Sequence, residues 1–146
     1  MTARPLLEII ADRPLVTATP QTTVRAACQL MASKRIGALL IVDGGRTVGI
    51  FTERDALNKV LAGALDPDST PLSAVMVRDP QCVRADRPLA HALLLMAEGG
   101  FRHVPVVDAD GRAIGMVSAR DALGRDLVQL EHDIERLEAL ENSIGY

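Results

Sequence analysis

Gly49-Ile-Phe-Thr-Glu-Arg-Asp-Ala-Leu57 returns 66 residues later as Gly115-Met-Val-Ser-Ala-Arg-Asp-Ala-Leu123, with five identities in nine and Thr52 replaced only by Ser118. Self-similarity at such a period means that one structural unit is used twice. The match continues upstream at a shift of 65, where Val24, Ala27, Cys28 and Met31 correspond to Leu89, Ala92, Leu93 and Met96. Both quartets have the i, i+3, i+4, i+7 spacing of a helix that lays an apolar stripe on a sheet.

After each helix comes an apolar run, 38–42 in the first half and 104–107 in the second, followed by the turn sequences Asp43-Gly-Gly45 and Asp108-Ala-Asp-Gly111 and a second apolar run, 48–51 or 114–117. Apolar runs joined by residues that tolerate positive φ read as β-hairpins. A hydroxyl at Thr52 or Ser118 followed three residues later by Asp55 or Asp121 signals a helix start. Short first strands are expected at 15–18 and 82–84, confined by Pro14, Pro20, Pro80 and Pro88. The unit is therefore β-α-β-β-α, and the fold class is α/β in the α+β sense: two tandem motifs related by a pseudo-twofold axis, plus a long C-terminal helix. The division expected is an N-terminal helical segment at 1–14, motif 1 at 15–62, a linker at 63–71, motif 2 at 72–124 and a C-terminal helix at 125–146. A short helical turn at 72–75 is expected to start the second unit.

Composition narrows the function. The chain has 146 residues, 48% of them apolar, enough for one compact domain with a real core. No run approaches the roughly 20 apolar residues of a membrane span, and the N-terminus lacks the pattern of a signal peptide, so a cytoplasmic location and no membrane partner are expected. Net charge is −3 with scattered basic residues, and Phe51, Phe101 and Tyr146 are the only aromatics, which argues against direct nucleic-acid contact. Cys28 and Cys82 read as small core residues. The chain has no metal-ligand spacing among His91, His103 and His132, no Walker loop and no nucleophile elbow, so no catalysis and no metal are expected.

Gly-x-x-Thr/Ser-x-x-Asp also has chemical content. Helix N-termini attract anions. An Asp one turn in presents two oxygens suited to vicinal ribose hydroxyls, Arg54 and Arg120 stand where they can meet phosphate, and Gly49 and Gly115 leave room for a ligand to approach the strand. The same pattern is also an ordinary capping box. Duplication of the whole constellation directly after a hairpin favours paired clefts.

With Ile36-Gly-Ala-Leu-Leu-Ile-Val42, Thr52-Glu-Arg-Asp55 and Arg102-His-Val-Pro-Val-Val107 added, the chain from about 15 to 127 resembles a CBS-domain pair, or Bateman module, of the small stand-alone type. The resemblance implies pseudo-symmetric clefts that take AMP, ADP, ATP or S-adenosylmethionine, with no tightly bound cofactor, and a homodimer. It makes Asp55 and Asp121 ribose ligands and Thr52 and Ser118 hydroxyl partners. It brings Arg102 and His103 towards phosphate, with Ile36 and Gly37 as their counterparts and Lys34 and Arg35 close by, so the clefts are unequal. It sets Val16, Thr17, Cys82 and Val83 against the adenine edge. His103 reads equally as a locally satisfied histidine.

Leu123, Leu127, Leu130, Ile134 and Leu137 form a heptad seam of about two repeats that loses register at Glu141, expected to meet a dimer partner. Leu6, Leu7, Ile9 and Ile10 are expected to form a short helix nearby. The leading functional reading is an adenine-nucleotide sensor signalling to an unknown effector protein. The alternative is a dimeric scaffold whose clefts stay empty.

Overall fold

The structure is a computed structural model describing residues 4–145, with side chains described throughout except at 125–130. Helix α1 (Leu6–Ile10) leads to β1 (Thr17–Ala18), α2 (Val24–Lys34), the hairpin strands β2 (Ala38–Asp43) and β3 (Arg46–Thr52), and α3 (Glu53–Asp55), which runs on as a π-helix over Ala56–Leu61. The second half repeats this order with one added strand: a 3-10 turn at Leu72–Ala74, β4 (Val77–Arg78), which has no counterpart and pairs antiparallel with β3 as the fourth strand of the first sheet, β5 (Val83–Arg84), α4 (Leu89–Gly99), β6 (His103–Val107), β7 (Ala113–Ser118), a 3-10 turn at Ala119–Ala122 and α5 (Gly124–Ile144). The α+β class and tandem organisation follow the sequence pattern. The first strands are shorter than expected, and the segment after Ser118 passes through the 3-10 turn before α5 begins.

The two halves agree down to register. In each, a short strand runs parallel to the next (Thr17 opposite Leu40, Val83 opposite Val106), and the hairpin register shifts at matched points, after Ile41 and after Val106. The first hairpin turns on Gly44 and Gly45, both at positive φ (56° and 79°), the conformation that matches the strands' right-handed twist. Helix α2 ends on Arg35 in the left-handed region at φ 54°, where α4 ends on Gly100 at φ 71°.

Each half's leading segment packs on the other half. Leu6, Ile9 and Ile10 sit in one apolar cluster with Val83, Leu89, Met96, Val104 and Val117 of the second repeat. Leu72, Val75 and Met76 sit with Val24, Met31, Leu39 and Phe51 of the first. The backbone bonds mirror one another: Leu6 and Leu7 N–H donate to Arg87 and Ala85 carbonyls, and Leu72 and Ser73 N–H donate to Thr22 and Pro20 carbonyls. So the turn at Leu72–Ala74 opens the second repeat in sequence but fills the first repeat's core, and α1 packs against β7 of the second repeat.

This exchange corrects the expected use of the repeat's glycines. A Cβ on Gly49 would lie 2.6 Å from Met76 Sδ, and one on Gly115 would lie 2.7 Å from Ile10 Cδ1. The space goes to the exchanged side chains, not to a ligand. Cys82 is likewise exposed and Cys28 half-buried, so the core assignment fails for Cys82. In the expected heptad seam, the side chains of Leu127 and Leu130 lie outside the described residues, while Leu123, Ile134 and Leu137 are exposed, as are Leu140 and Ile144.

Two stability outcomes follow from these contacts. Gly115→Ala is expected to cost about 1–3 kcal/mol through overpacking, with part of the loss recovered when Ile10→Ala is added, a coupling that denaturant melts of the four-member cycle measure. Arg35→Gly, which relieves a left-handed backbone at a helix end, is expected to stabilise by about 0.5–1 kcal/mol and raise the melting temperature.

Candidate functional site

Thr52 ends β3 with extended backbone and caps α3. Its Oγ1 accepts from Asp55 N–H at 3.2 Å, and Asp55 Oδ2 accepts from both Thr52 N–H at 3.0 Å and Thr52 Oγ1–H at 3.1 Å. The other oxygen, Oδ1, lies 3.2 Å from Lys59 Nζ, which also donates to the Val75 carbonyl at 2.9 Å. A carboxylate only 8% exposed needs such partners, because an unpaired buried charge is costly. The capping box expected from sequence is present, and Asp55 serves it.

Thr52 and Asp55 also line a cavity of about 830 Å3, within the roughly 300–1,000 Å3 typical of small-molecule sites. Its walls join Thr52, Arg54 and Asp55 of the first repeat to Arg102 and His103 of the second, closed by Asp79, Pro80 and Gln81 from the segment before β5. Arg54 spans the junction, with Nη1 donating to the Gly100 carbonyl at 3.3 Å. Gly37 belongs to the same junction, since a Cβ there would sit 3.2 Å from Glu53 Oε1 and 3.4 Å from His103 Cε1. Burial pushes the His103 imidazole below its usual 6.5; the neighbouring Glu53 and Asp121 oppose this, and Arg102 adds to it. The ring is therefore neutral at pH 7, offering one donor and one acceptor to the cavity.

Around Ser118 the chemistry repeats but the surroundings differ. Ser118 N–H donates to Asp121 Oδ2 at 2.8 Å. Both Asp121 oxygens are also held by Arg13, with Nη1 at 3.0 Å from Oδ2 and Nη2 at 2.5 Å from Oδ1. Burial pushes this carboxyl up, but the hydrogen bonds from Arg13 and Ser118 and the charges of Arg13 and Arg120 outweigh it and hold Asp121 below its usual 3.8. Arg120 and Thr17 are exposed and Val16 is half-buried. Val83 is buried in the second core. Sequence reading thus named Thr52, Arg54, Asp55, Arg102 and His103, which one cavity brings together; Ser118, Arg120, Asp121, Gly37, Val16, Thr17 and Val83 do not line it. It missed Asp79, Pro80 and Gln81 in the cavity wall and Arg13 on Asp121, which no local pattern marks.

The CBS domain family model matches residues 8–62 and 72–127. A CBS domain-containing protein of Arabidopsis thaliana is 36% identical over 126 residues, covering 86% of this chain but 23% of that protein, so the chain spans about a quarter of the curated relative's length. Among solved structures, a putative signal-transduction protein with CBS domains from Burkholderia ambifaria is 32% identical, with a TM-score of 0.79 over 86% of this chain and 95% of the other. A CBS domain protein from Pyrobaculum aerophilum complexed with AMP is 27% identical, with a TM-score of 0.77 over 88% and 97%.

Burial of His103 fixes a pH dependence. The unfolded chain takes up a proton below about pH 6.5 that the folded imidazole resists, so this stability is present above pH 6.5 and is lost as pH falls through the depressed folded value. Denaturant midpoints at pH 7.5 and 5.5 are expected to drop more for the native chain than for His103→Gln. Equal drops would mean that the imidazole titrates as it does in water.

Proposed function

Because this chain belongs to the CBS-domain family and carries a pair of its motifs, we propose that it is an adenine-nucleotide-binding regulatory module with no catalysis of its own. The observation that carries this reading is the single cavity joining the Thr52-x-Arg-Asp55 helix start of one repeat to Arg102 and His103 of the other. A ligand seated there touches both halves, so it can shift their relative pose if it binds one pose better than the other. The Pyrobaculum relative's AMP complex supports an adenosine-type ligand.

In this reading Asp55 accepts from the ribose hydroxyls, exchanging its contact with Lys59 for them, and Thr52 contacts ribose or phosphate. Arg54 and Arg102 meet phosphate, and the neutral His103 donates or accepts beside them. Val83, through its backbone, reads the adenine edge. In the second cleft Asp121, Ser118, Arg120, Gly37, Val16 and Thr17 take the corresponding roles. Output passes to an effector protein, through a homodimer in the cytoplasm. Among the described residues no helix is long and apolar enough to cross a membrane.

A second reading is favoured by α5, whose Ile134, Leu137, Leu140 and Ile144 are all exposed. Contiguous exposed apolar side chains mark interaction surfaces. A dimeric scaffold with empty clefts would use this face alone.

A thermal-melt screen against AMP, ADP, ATP, S-adenosylmethionine, NAD and GTP separates the two. A ligand at about 100 times its Kd adds about 2.7 kcal/mol, a rise of about 5–10 °C for a chain of this size. The rise is expected with adenine compounds and is expected to vanish in Asp55→Ala, with circular dichroism confirming that this variant is folded. A flat result across the panel would place the scaffold reading first.

A further inference from the structure

Arg13-Pro14 and Asp79-Pro80 are two residue-proline pairs, each ending three residues before the short parallel strand of its half, Thr17–Ala18 or Val83–Arg84. They carry opposite charges. Resting on the nucleotide reading above, we propose that the residue before this proline decides whether its cleft is open: Arg13 latches the Asp121 cleft shut, and Asp79 leaves the Asp55 cleft open.

The geometry of the latch is one of direct competition. A ribose diol engages a carboxylate through its two oxygens, and Arg13 already occupies both. A fork-to-fork guanidinium–carboxylate pair is also among the stronger surface contacts. At the first cleft, Asp79 lines the same cavity as Asp55. An ionised acid has no donor to offer a carboxylate, so no guanidinium fork closes this cleft, and outside its cap Asp55 keeps only the single contact of Oδ1 with Lys59.

The latch is also built to release. The Arg13 side chain is 45% exposed against 10% for Asp121, so water can take up the guanidinium once a ligand displaces it from the carboxylate. Its base stays fixed, because Leu6 and Ile10 are buried and Leu6 and Leu7 N–H are bonded to the second repeat. Arg13 can therefore leave Asp121 without unpacking α1. Val16, in the segment proposed to meet adenine in this cleft, lies three residues further on, so ligand entry and Arg13 release involve the same stretch of chain. Filling the second cleft thereby reports on the N-terminal segment as filling the first does not.

Titration calorimetry with AMP on the full chain tests the latch. The native protein is expected to show one site, Arg13→Gln and Arg13→Asp to gain a second with affinity raised about tenfold or more, and Asp79→Arg to weaken the first site about tenfold. Unchanged stoichiometry and affinity in both Arg13 variants would overturn the latch, and an unchanged first site in Asp79→Arg would overturn the role given to Asp79. If AMP gives no heat with any form, the nucleotide reading falls, and hydrogen exchange without ligand decides the latch. Asp121→Asn is then expected to raise exchange at residues 11–17 about tenfold if Arg13 ties that segment down, and no change would overturn it.

Discussion

The exchange of leading segments is the contact on which the rest of the molecule depends. Neither sheet covers its apolar face with its own repeat alone: the first, four-stranded through β4, takes Leu72, Val75 and Met76 from the second repeat, and the second, three-stranded, takes Leu6, Ile9 and Ile10 from the first. Gly49 and Gly115 exist to admit Met76 and Ile10. An L side chain at either glycine would push out the element that closes the sheet. Each core thereby draws residues from both repeats, and the cleft between them is walled by elements of both.

That geometry lets one short motif serve stability and, in the function proposed above, recognition as well. The aspartate one turn into each helix start is drawn to the backbone N–H of the hydroxyl residue, which holds its carboxylate at the inter-repeat junction. One oxygen suffices for the cap. The remaining valence is satisfied by whatever the neighbouring segment supplies, Lys59 in one half and Arg13 in the other. Two sites with identical helix starts can therefore differ in readiness, because the difference lies in the segments that surround them.

Sequence periodicity made the repeat, both hairpins and both caps legible, because each is a local consequence of spacing or turn chemistry: Asp43-Gly-Gly45 dictates a tight turn, and Thr52-x-x-Asp55 a cap. It could not reveal the exchange. Leu6 to Ile10 and Leu72 to Met76 share only apolar character, and either would satisfy either sheet by composition. Nor could it find Arg13 on Asp121, a contact across 108 positions. Gly49 illustrates the limit most sharply, since a glycine beside a presumed site invites a ligand explanation and only packing shows the thioether it admits. Cys82 shows another limit: it stands just before the two-residue strand β5, where alternation has too few positions to assign a face.

The unequal clefts also bear on how the regulatory module proposed above would signal. Asp121 lies in the 3-10 turn that ends two residues before α5 begins, and a Cβ on Gly124, the first residue of α5, would lie 3.6 Å from Arg4 Nη1. The root of the exposed helix thus meets the N-terminal segment at two points, Arg4 and Arg13. Asp55 has no such connection, since its helix passes into the π-turn and the loop towards Leu72. A ligand in the Asp55 cleft acts on the joint between the repeats, whereas one that displaced Arg13 would act at the base of α5. If affinity differs between the clefts as the charges at positions 13 and 79 require, low and high ligand concentrations address different parts of the molecule, and the apolar face of α5 responds only to the second.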